Sequence, residues 1–417
     1  MRRYDTYKDS GIQWIGQVPS HWEVKKIRTY FRERREKVSD KDFAPLSVSK
    51  IGVTPQLETA VKTDNGDNRK KVCKGDFVVN SRSDRKGSCG ISDYDGSVSL
   101  ICIVVTPKLI NGRFVHHLFR TNNYIEEFYR QGRGIVADLW TTRYNEMKNI
   151  HIPVPPLSEQ KAITNFLQVK TTKIEQYVSE RERERELLES LKQAEIAKAV
   201  TQGLDPNVPM KDSGIPWIGM IPEHWEVKRL RHFLKFVSIK GHGEKSLLSV
   251  TREQGVILRN VKSKEENHNF IPDDLNGYKL VQPGQFVINK MKSWQGSYGV
   301  SDYEGIVSPA YYVCDLKFPC KEYFSMAIRS KAYVPFFTQF SKGIRVDQWD
   351  LSPLGLKSIP FVVPPPSEQQ AIVEYIETKL SKIDTFIADL QAEIDYLKEF
   401  KQRLISDAVT GQIKVTE

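Results

Sequence analysis

The chain has 417 residues, 39% of them hydrophobic and 27% charged, and 62 Lys and Arg against 52 Asp and Glu give a formal net charge of +10. That length accommodates two or three domains with cores of their own. No apolar run approaches the ~18 residues of a membrane helix, and Met1-Arg2-Arg3-Tyr4-Asp5 leads into polar sequence rather than a secretory leader, so a cytoplasmic protein is expected.

The chain opens with KDSGIQWIGQVPSHWEVKK over residues 8–26. Two short apolar runs follow, Asp76-Phe77-Val78-Val79 and Ser99 to Val105, set among Gly, Asn and Asp turns. They predict strands, and a helical stretch is predicted near 114–131. Pro155-Pro156-Leu157-Ser158-Glu159-Gln160 then opens a stretch without Gly or Pro that runs to about Gln202. It reads as a long helix, with Ser158 able to cap it, Glu159 suited to the positive end of its dipole and Gly203 as its stop. Leu167, Ile174, Val178 and Leu188 are apolar along it. The run Arg181-Glu182-Arg183-Glu184-Arg185-Glu186 interrupts them, and a solvated face with ion pairs inside the helix is expected there.

The chain is then written a second time. Residues 211–229 read KDSGIPWIGMIPEHWEVKR, at an offset of 203. FVINKMKSWQGSYGVSDYEGIVS (286–308) answers FVVNSRSDRKGSCGISDYDGSVS (77–99) at an offset of 209, which places about six extra residues in the second copy between these motifs. Strands are predicted at Gln285 to Ile288 and Ala310 to Val313, and helix near 321–340. Pro365-Pro366-Ser367-Glu368-Gln369 opens a second long helix that ends near Thr410, before Gly411. Ile376, Leu380, Ile383, Ile387, Leu390, Ile394 and Leu397 alternate steps of four and three along it, the seam of a coiled coil.

A repeat of this length is a duplicated domain with its connector, not a solenoid unit. The expected fold class is mixed α/β (α+β): two similar domains related by pseudo-twofold symmetry and joined by two long helices in an antiparallel coiled coil. The boundaries expected are 1–152 for the first domain, 153–205 for the central helix, 206–362 for the second domain and 363–417 for the C-terminal helix. Helices of ~45 residues are about 65 Å long, enough to hold two domains one DNA turn, ~34 Å, apart. The positive charge favours a polyanion, whose condensed counterions fixed cations release.

The doubled K-D-S-G-I-x-W-I-G-x-x-P-x-H-W-E-V-K, the doubled P-P-x-S-E-Q and the order domain, helix, domain, helix together resemble the specificity subunits of type I restriction-modification systems, over essentially the whole chain. The resemblance implies two target recognition domains, each reading one half of a split, asymmetric DNA sequence. It implies long helices that fix the gap and dock two methyltransferase subunits, which restriction and translocation subunits then join. S-adenosylmethionine, ATP and magnesium would belong to those partners, with adenine methylation performed by them. The chain itself would hold no cofactor and no catalytic residue.

The residues expected at DNA lie where the copies share a frame but differ in chemistry. Asn80, Arg82, Ser83, Arg85 and Lys86 in the first copy face Asn289, Lys290, Lys292, Trp294 and Gln295 in the second. Arg or Lys can pair with guanine, and Asn or Gln with adenine. Arg85-Lys86-Gly87-Ser88 stands where the second copy has the Trp294-Gln295-Gly296-Ser297 frequent in such domains, so no shared base preference is implied. Arg133, between Gly132 and Gly134, and Lys342 with Arg345, around Gly343, are a second pair that suits close approach to phosphate. Asp138, Asp347, Trp140 and Trp349 follow, the tryptophans being read as core. Trp14, Trp22, Trp217, Trp225, His21 and His224, repeated at both domain entrances, suit packing better than catalysis.

Five cysteines without a C-x-x-C pair, and without a histidine pair at ligand spacing, argue against a zinc site and a disulfide framework. An amino-methyltransferase would need an Asn/Asp-Pro-Pro-aromatic loop and an ATP-driven enzyme a G-x-x-x-x-G-K-[ST] loop, and neither is found; carboxylates are plentiful, so composition leaves a metal nuclease open, but no convincing D…E-x-K stands in a β context. A coiled-coil adaptor without a DNA role would explain the helices but not two basic units with diverged loops.

Overall fold

The computed structural model describes residues 2–57, 66–134, 140–260, 271–343 and 349–415. It divides into two compact units, one made of Met1–Glu182 and Ala392–Glu417, the other of Arg183–Gln391.

In the first unit the FVVN run forms Phe77–Asn80, inside a four-stranded antiparallel sheet ordered Cys89–Ile91, Phe77–Asn80, Cys102–Pro107, Phe31–Glu33. Phe77, Val79, Ile103 and Val105 face a large core, whereas Val78, Cys102 and Val104 face a smaller one. Burial on both faces explains why these strands read as unbroken apolar runs instead of alternating. The large core takes in the helices Gly112–Leu118 and Asn122–Arg130, with Ile163, Leu167, Leu404 and Ala408 from the long helices. The smaller one lies under the hairpin Leu46–Ser49 and Gly52–Pro55. The helical stretch near 114–131 is thus two helices, because the Thr121 hydroxyl caps a fresh start by accepting from Tyr124 N.

The second unit has the sheet Leu234–Val237, Tyr311–Leu316, Phe286–Asn289, Tyr298–Val300. Phe286 and Ile288 face its large core, and Val287 and Val313 a smaller one beneath the hairpin Leu248–Thr251 and Gly255–Leu258. Its helical stretch is also split, into Lys321–Arg329 and Val334–Phe340, with Pro335 in the first turn of the latter. The copies match at an offset of 203 at Gly52 and Gly255 and of 209 at Val72 and Val281. The six extra residues therefore fall between these points, in a segment that includes 261–270, outside the described residues.

The long helices span Leu157–Gln202 and Pro366–Val409. Ser158 and Ser367 sit inside their first turns rather than at the cap. The acidic residue after each serine does more than complement the dipole. Glu159, 7% exposed, accepts from the Tyr4 hydroxyl and lies 2.9 Å from His21 Nε2. Gln160 accepts from Asn111 N at 2.8 Å and donates to Pro155 O at 2.8 Å. In the second unit Glu368 lies 2.5 Å from His224 Nε2 and accepts from Trp225 Nε1 at 2.9 Å, while Gln369 donates to Pro364 O at 2.8 Å. The S-E-Q signature thus ties the repeated entrance motif to the helix start. Trp22 and Trp225 are fully buried beside these contacts, but Trp217 stays 45% exposed at the core margin. Gly203 and Gly411 have φ of +75° and +77°, and a Cβ there would meet the Trp225 and Trp22 rings.

All seven predicted seam residues are buried or half-buried, Ile376 and Ile394 at 1% exposure. In the first unit Glu175 pairs with Lys401 at 2.5 Å, Glu182 with Lys398 at 2.8 Å and Arg181 with Glu393 at 3.3 Å. In the second, Arg185 bonds Gln391, Lys192 pairs with Asp384 at 2.5 Å and Glu195 accepts from Tyr375 at 2.9 Å. In both, residue numbers fall on one helix as they rise on the other. The charged run is thus not simply a solvated face. Val178, Arg181, Arg185, Leu188 and Lys192 keep the four-three spacing and are half-buried, and the cations among them reach across to the other helix. Long aliphatic stems let Arg and Lys occupy such positions with their charges at the rim.

Cys89, Cys102 and Cys314 are buried, and burial pushes each thiol up to about 12. Replacing Glu159 by Ala strands the buried Tyr4 hydroxyl, and we expect it to lower stability by about 2 kcal/mol, read from urea unfolding, with Glu159→Gln costing less.

Candidate nucleic-acid interface

In the first unit the strand Phe77–Asn80 runs out into the loop that carries Arg82, Ser83, Arg85 and Lys86. Asn80 Oδ1 turns it by accepting from Arg82 N at 3.2 Å. From behind, the Tyr129 hydroxyl bridges the carbonyls of Asn80, at 2.9 Å, and Arg85, at 3.2 Å. From the side, Thr142 N donates to Ser81 O at 3.0 Å and Ser83 N to Trp140 O at 2.9 Å. Thr141 bridges to Arg82 on one side and to Arg133 on the other. The two loops singled out separately in the sequence therefore share one backbone partner, and Arg82 and Arg133 belong to one surface.

Its cations project outward, Arg133 with 84% and Arg85 with 66% of the side chain exposed. Arg82 pairs with Asp84 at 2.9 Å and Lys86 with Glu126 at 2.9 Å. Such exposed pairs are worth ~1 kcal/mol or less, so phosphate or a base edge can displace them.

The second unit builds the same arrangement with other residues. Leu351 N donates to Lys290 O at 3.0 Å, and the Lys290 ammonium lies 2.7 Å from Asp350, whose hydrogen bond holds its pKa above the ordinary value. Lys342 pairs with Asp350 across the two-residue ladder Ser341–Lys342 with Asp350–Leu351. Lys292 and Gln295 are exposed. Trp294 is half-buried against Trp349, ring centroids 5.5 Å apart, and its carbonyl accepts from the Thr338 hydroxyl at 3.2 Å. Asn289 faces inward, its amide donating to the Tyr311 hydroxyl at 3.1 Å. Arg345, Asp138 and Asp347 lie outside the described residues.

The family described as the type I restriction modification DNA specificity domain matches residues 19–181. The type I restriction enzyme MjaVIII specificity subunit of Methanocaldococcus jannaschii is 25% identical over 96% of this chain and 94% of its own. The type I restriction enzyme EcoKI specificity subunit of Escherichia coli K12 is 22% identical over 95% and 90%. A solved chain, described under complex assembly and conformational transition of the type I R-M system, shares the fold with a TM-score of 0.67 at 13% identity, covering 95% of this chain and 99% of that one. Over nearly its whole length the chain is thus similar to specificity subunits of type I restriction-modification systems.

A specificity subunit supplies DNA sequence recognition, and its family is in general not catalytic. The family works in assembly with methyltransferase and restriction subunits on DNA. Among the described residues no helix is long and apolar enough to cross a membrane.

Two corrections concern side chains of the interface. Trp140, read as core, is 37% exposed, and Trp349 is half-buried, because both lie in the segments that lace the loops together. Tyr129 and Thr141, which set the loop geometry, are not legible in advance. Tyr129 reads as one more apolar residue of a helix, and Thr141 bonds to Arg133 through its backbone. Replacing Tyr129 by Phe removes the bridge but not the ring, and should cost ~1 kcal/mol of DNA affinity. The check is equilibrium binding of the methyltransferase complex to its own duplex, with the thermal unfolding midpoint shifting by only a few degrees.

Proposed function

We propose that each α/β unit reads one half of a split, asymmetric DNA target, the first through the surface of Arg82, Arg85, Lys86 and Arg133, the second through that of Lys290, Lys292, Trp294, Gln295 and Lys342. On this reading residues 1–152 and 206–362 are the two target recognition domains and are related by pseudo-twofold symmetry. Residues 153–205 and 363–417 pair as an antiparallel coiled coil that sets the gap and docks two methyltransferase subunits in the cytoplasm. Those partners methylate adenine, the restriction subunits cleave, and S-adenosylmethionine, ATP and magnesium serve them rather than this chain, which catalyses nothing itself.

One observation carries the proposal: in each unit two loops of diverged sequence are laced to one backbone segment on a retained sheet. A frame that is kept while its exposed side chains change is what two readers of unlike half-sites require. The cross-helix pairs and the buried seam support the coiled coil.

The test is co-expression with the methyltransferase subunit and a genome-wide map of methylated adenines. A split motif with a fixed gap and two unlike halves is expected. Replacing both Arg82 and Arg85 by Ala should relax or abolish one half of that motif and leave the other unchanged. A motif unaltered in both halves would remove these residues from the interface.

A further inference from the structure

The hairpins over the smaller cores have no part in the surface described so far. Their strands are alike, Leu46-Ser47-Val48 against Leu248-Ser249-Val250, with Gly52-Val53 against Gly255-Val256. Their tips are not. The first is Lys50-Ile51, the second Arg252-Glu253-Gln254, one residue longer. All five tip residues are exposed, Ile51 at 80%, an apolar side chain left in water.

An exposed tip of two or three residues would ordinarily be free to sway. These are held at two points. First, each hairpin lies with its glycine against a glycine of the adjacent sheet strand. A Cβ at Gly90 would meet Gly52 Cα at 3.2 Å, and one at Gly299 would meet Gly255 Cα at 3.3 Å. Second, each tip is gripped by an arginine that occupies the same position in both copies, at the offset of 209. Arg120 donates to Lys50 O. Arg329 donates to Glu253 O at 2.7 Å, Arg252 O at 3.3 Å and Tyr298 O at 3.4 Å. In these bonds the guanidinium acts on main-chain carbonyls, so the grip does not depend on which side chains the tip carries.

The tips also stand beside the loops described above. Lys50 and Ile51 border the same cavity, of about 670 Å³, as Lys86 and Gly87. Arg252 and Glu253 border one of about 780 Å³ with Gln295 and Gly296, where a Cβ on Gly296 would meet the Arg252 side chain at 3.7 Å.

We infer that the hairpin tips are a further DNA-contacting element of each domain, with Lys50 and Arg252 as the contacting cations and Arg120 and Arg329 as positioning residues. This rests on the reading given under Proposed function. Lys and Arg at an exposed tip suit phosphate oxygens or a guanine edge, and the rigid mounting keeps the entropy cost of that contact low.

The experiment uses the intact complex with its methyltransferase and compares Lys50→Ala, Arg252→Ala, Arg120→Ala and the Arg82→Ala, Arg85→Ala double variant. Duplex affinity is read against salt, alongside the methylated motif. Lys50→Ala removes only an exposed side chain, so the fold is retained. We expect it to weaken binding by about tenfold and to lower the salt slope by about one if the contact is to phosphate, or to relax one base of one half-site if it is to a base edge. Arg252→Ala should act on the opposite half-site. Arg120→Ala should reproduce Lys50→Ala in the same half-site while the other is read normally, which general destabilisation would not do. If Lys50→Ala and Arg252→Ala leave affinity, salt slope and motif unchanged while the double variant alters one half-site, the hairpin inference is overturned and the loop reading stands. No split motif from the unsubstituted complex overturns both.

Discussion

The architecture turns on one contact made once in each unit, the carboxylate that follows the serine at the start of each long helix. Glu159 and Glu368 join a side chain of the helix to the histidine of the entrance motif, with Tyr4 adding a bond in one unit and Trp225 in the other. Gln160 and Gln369 beside them return to a proline carbonyl just ahead of the helix. A helix more than 40 residues long is useful as a support only if what it carries cannot swivel at the joint. A carboxylate with two partners makes such a joint stiff, most of all at the buried Glu159, where separating them strands polar groups in an apolar setting.

From that joint the remaining organisation follows. Each four-stranded sheet is covered on both faces, by helices on one and by a hairpin on the other. The strand that leaves the sheet at Asn80 or Asn289 therefore emerges from a layer that cannot bend. Loops mounted on such a layer can hold exposed charges in a fixed pattern, and a fixed pattern distinguishes sequence recognition from general attraction to a polyanion.

Much of this was legible in the sequence, and the reasons are physical. The repeated motifs and the long helices depend on local pattern and spacing, which a sequence displays directly, and the residues set at steps of four and three from Ile376 to Leu397 are buried or half-buried. The doubled Trp22 and Trp225 read as packing and are buried. What stayed hidden depends on partners far along the chain. Nothing local in Arg181 or Arg185 says that its partner is more than 200 residues away, so the run looked solvated. Trp140 reads as core because tryptophan usually is, yet its carbonyl holds the loop at Ser83 and its ring is partly exposed. Tyr129 and Arg120 act on carbonyls, which every residue possesses and which therefore leave no mark on the sequence of the loops they hold. The pair of cations at the hairpin tips leaves no mark for a related reason, since an isolated Lys or Arg is ordinary on any surface.

That use of carbonyls bears on how such a protein changes over time. The loop from Asn80 to Arg85 is steadied by Tyr129 at its main chain, and the tip at Lys50 by Arg120 in the same manner. The exposed side chains in these stretches, unlike those of Asn80 and Ser81, are thereby released from the work of folding. On the reading proposed above, a single-letter change at Arg82 or Arg85 can rewrite what is recognised without asking the scaffold to adapt. On that reading drift in specificity is cheap, and two copies of one frame can come to read different words.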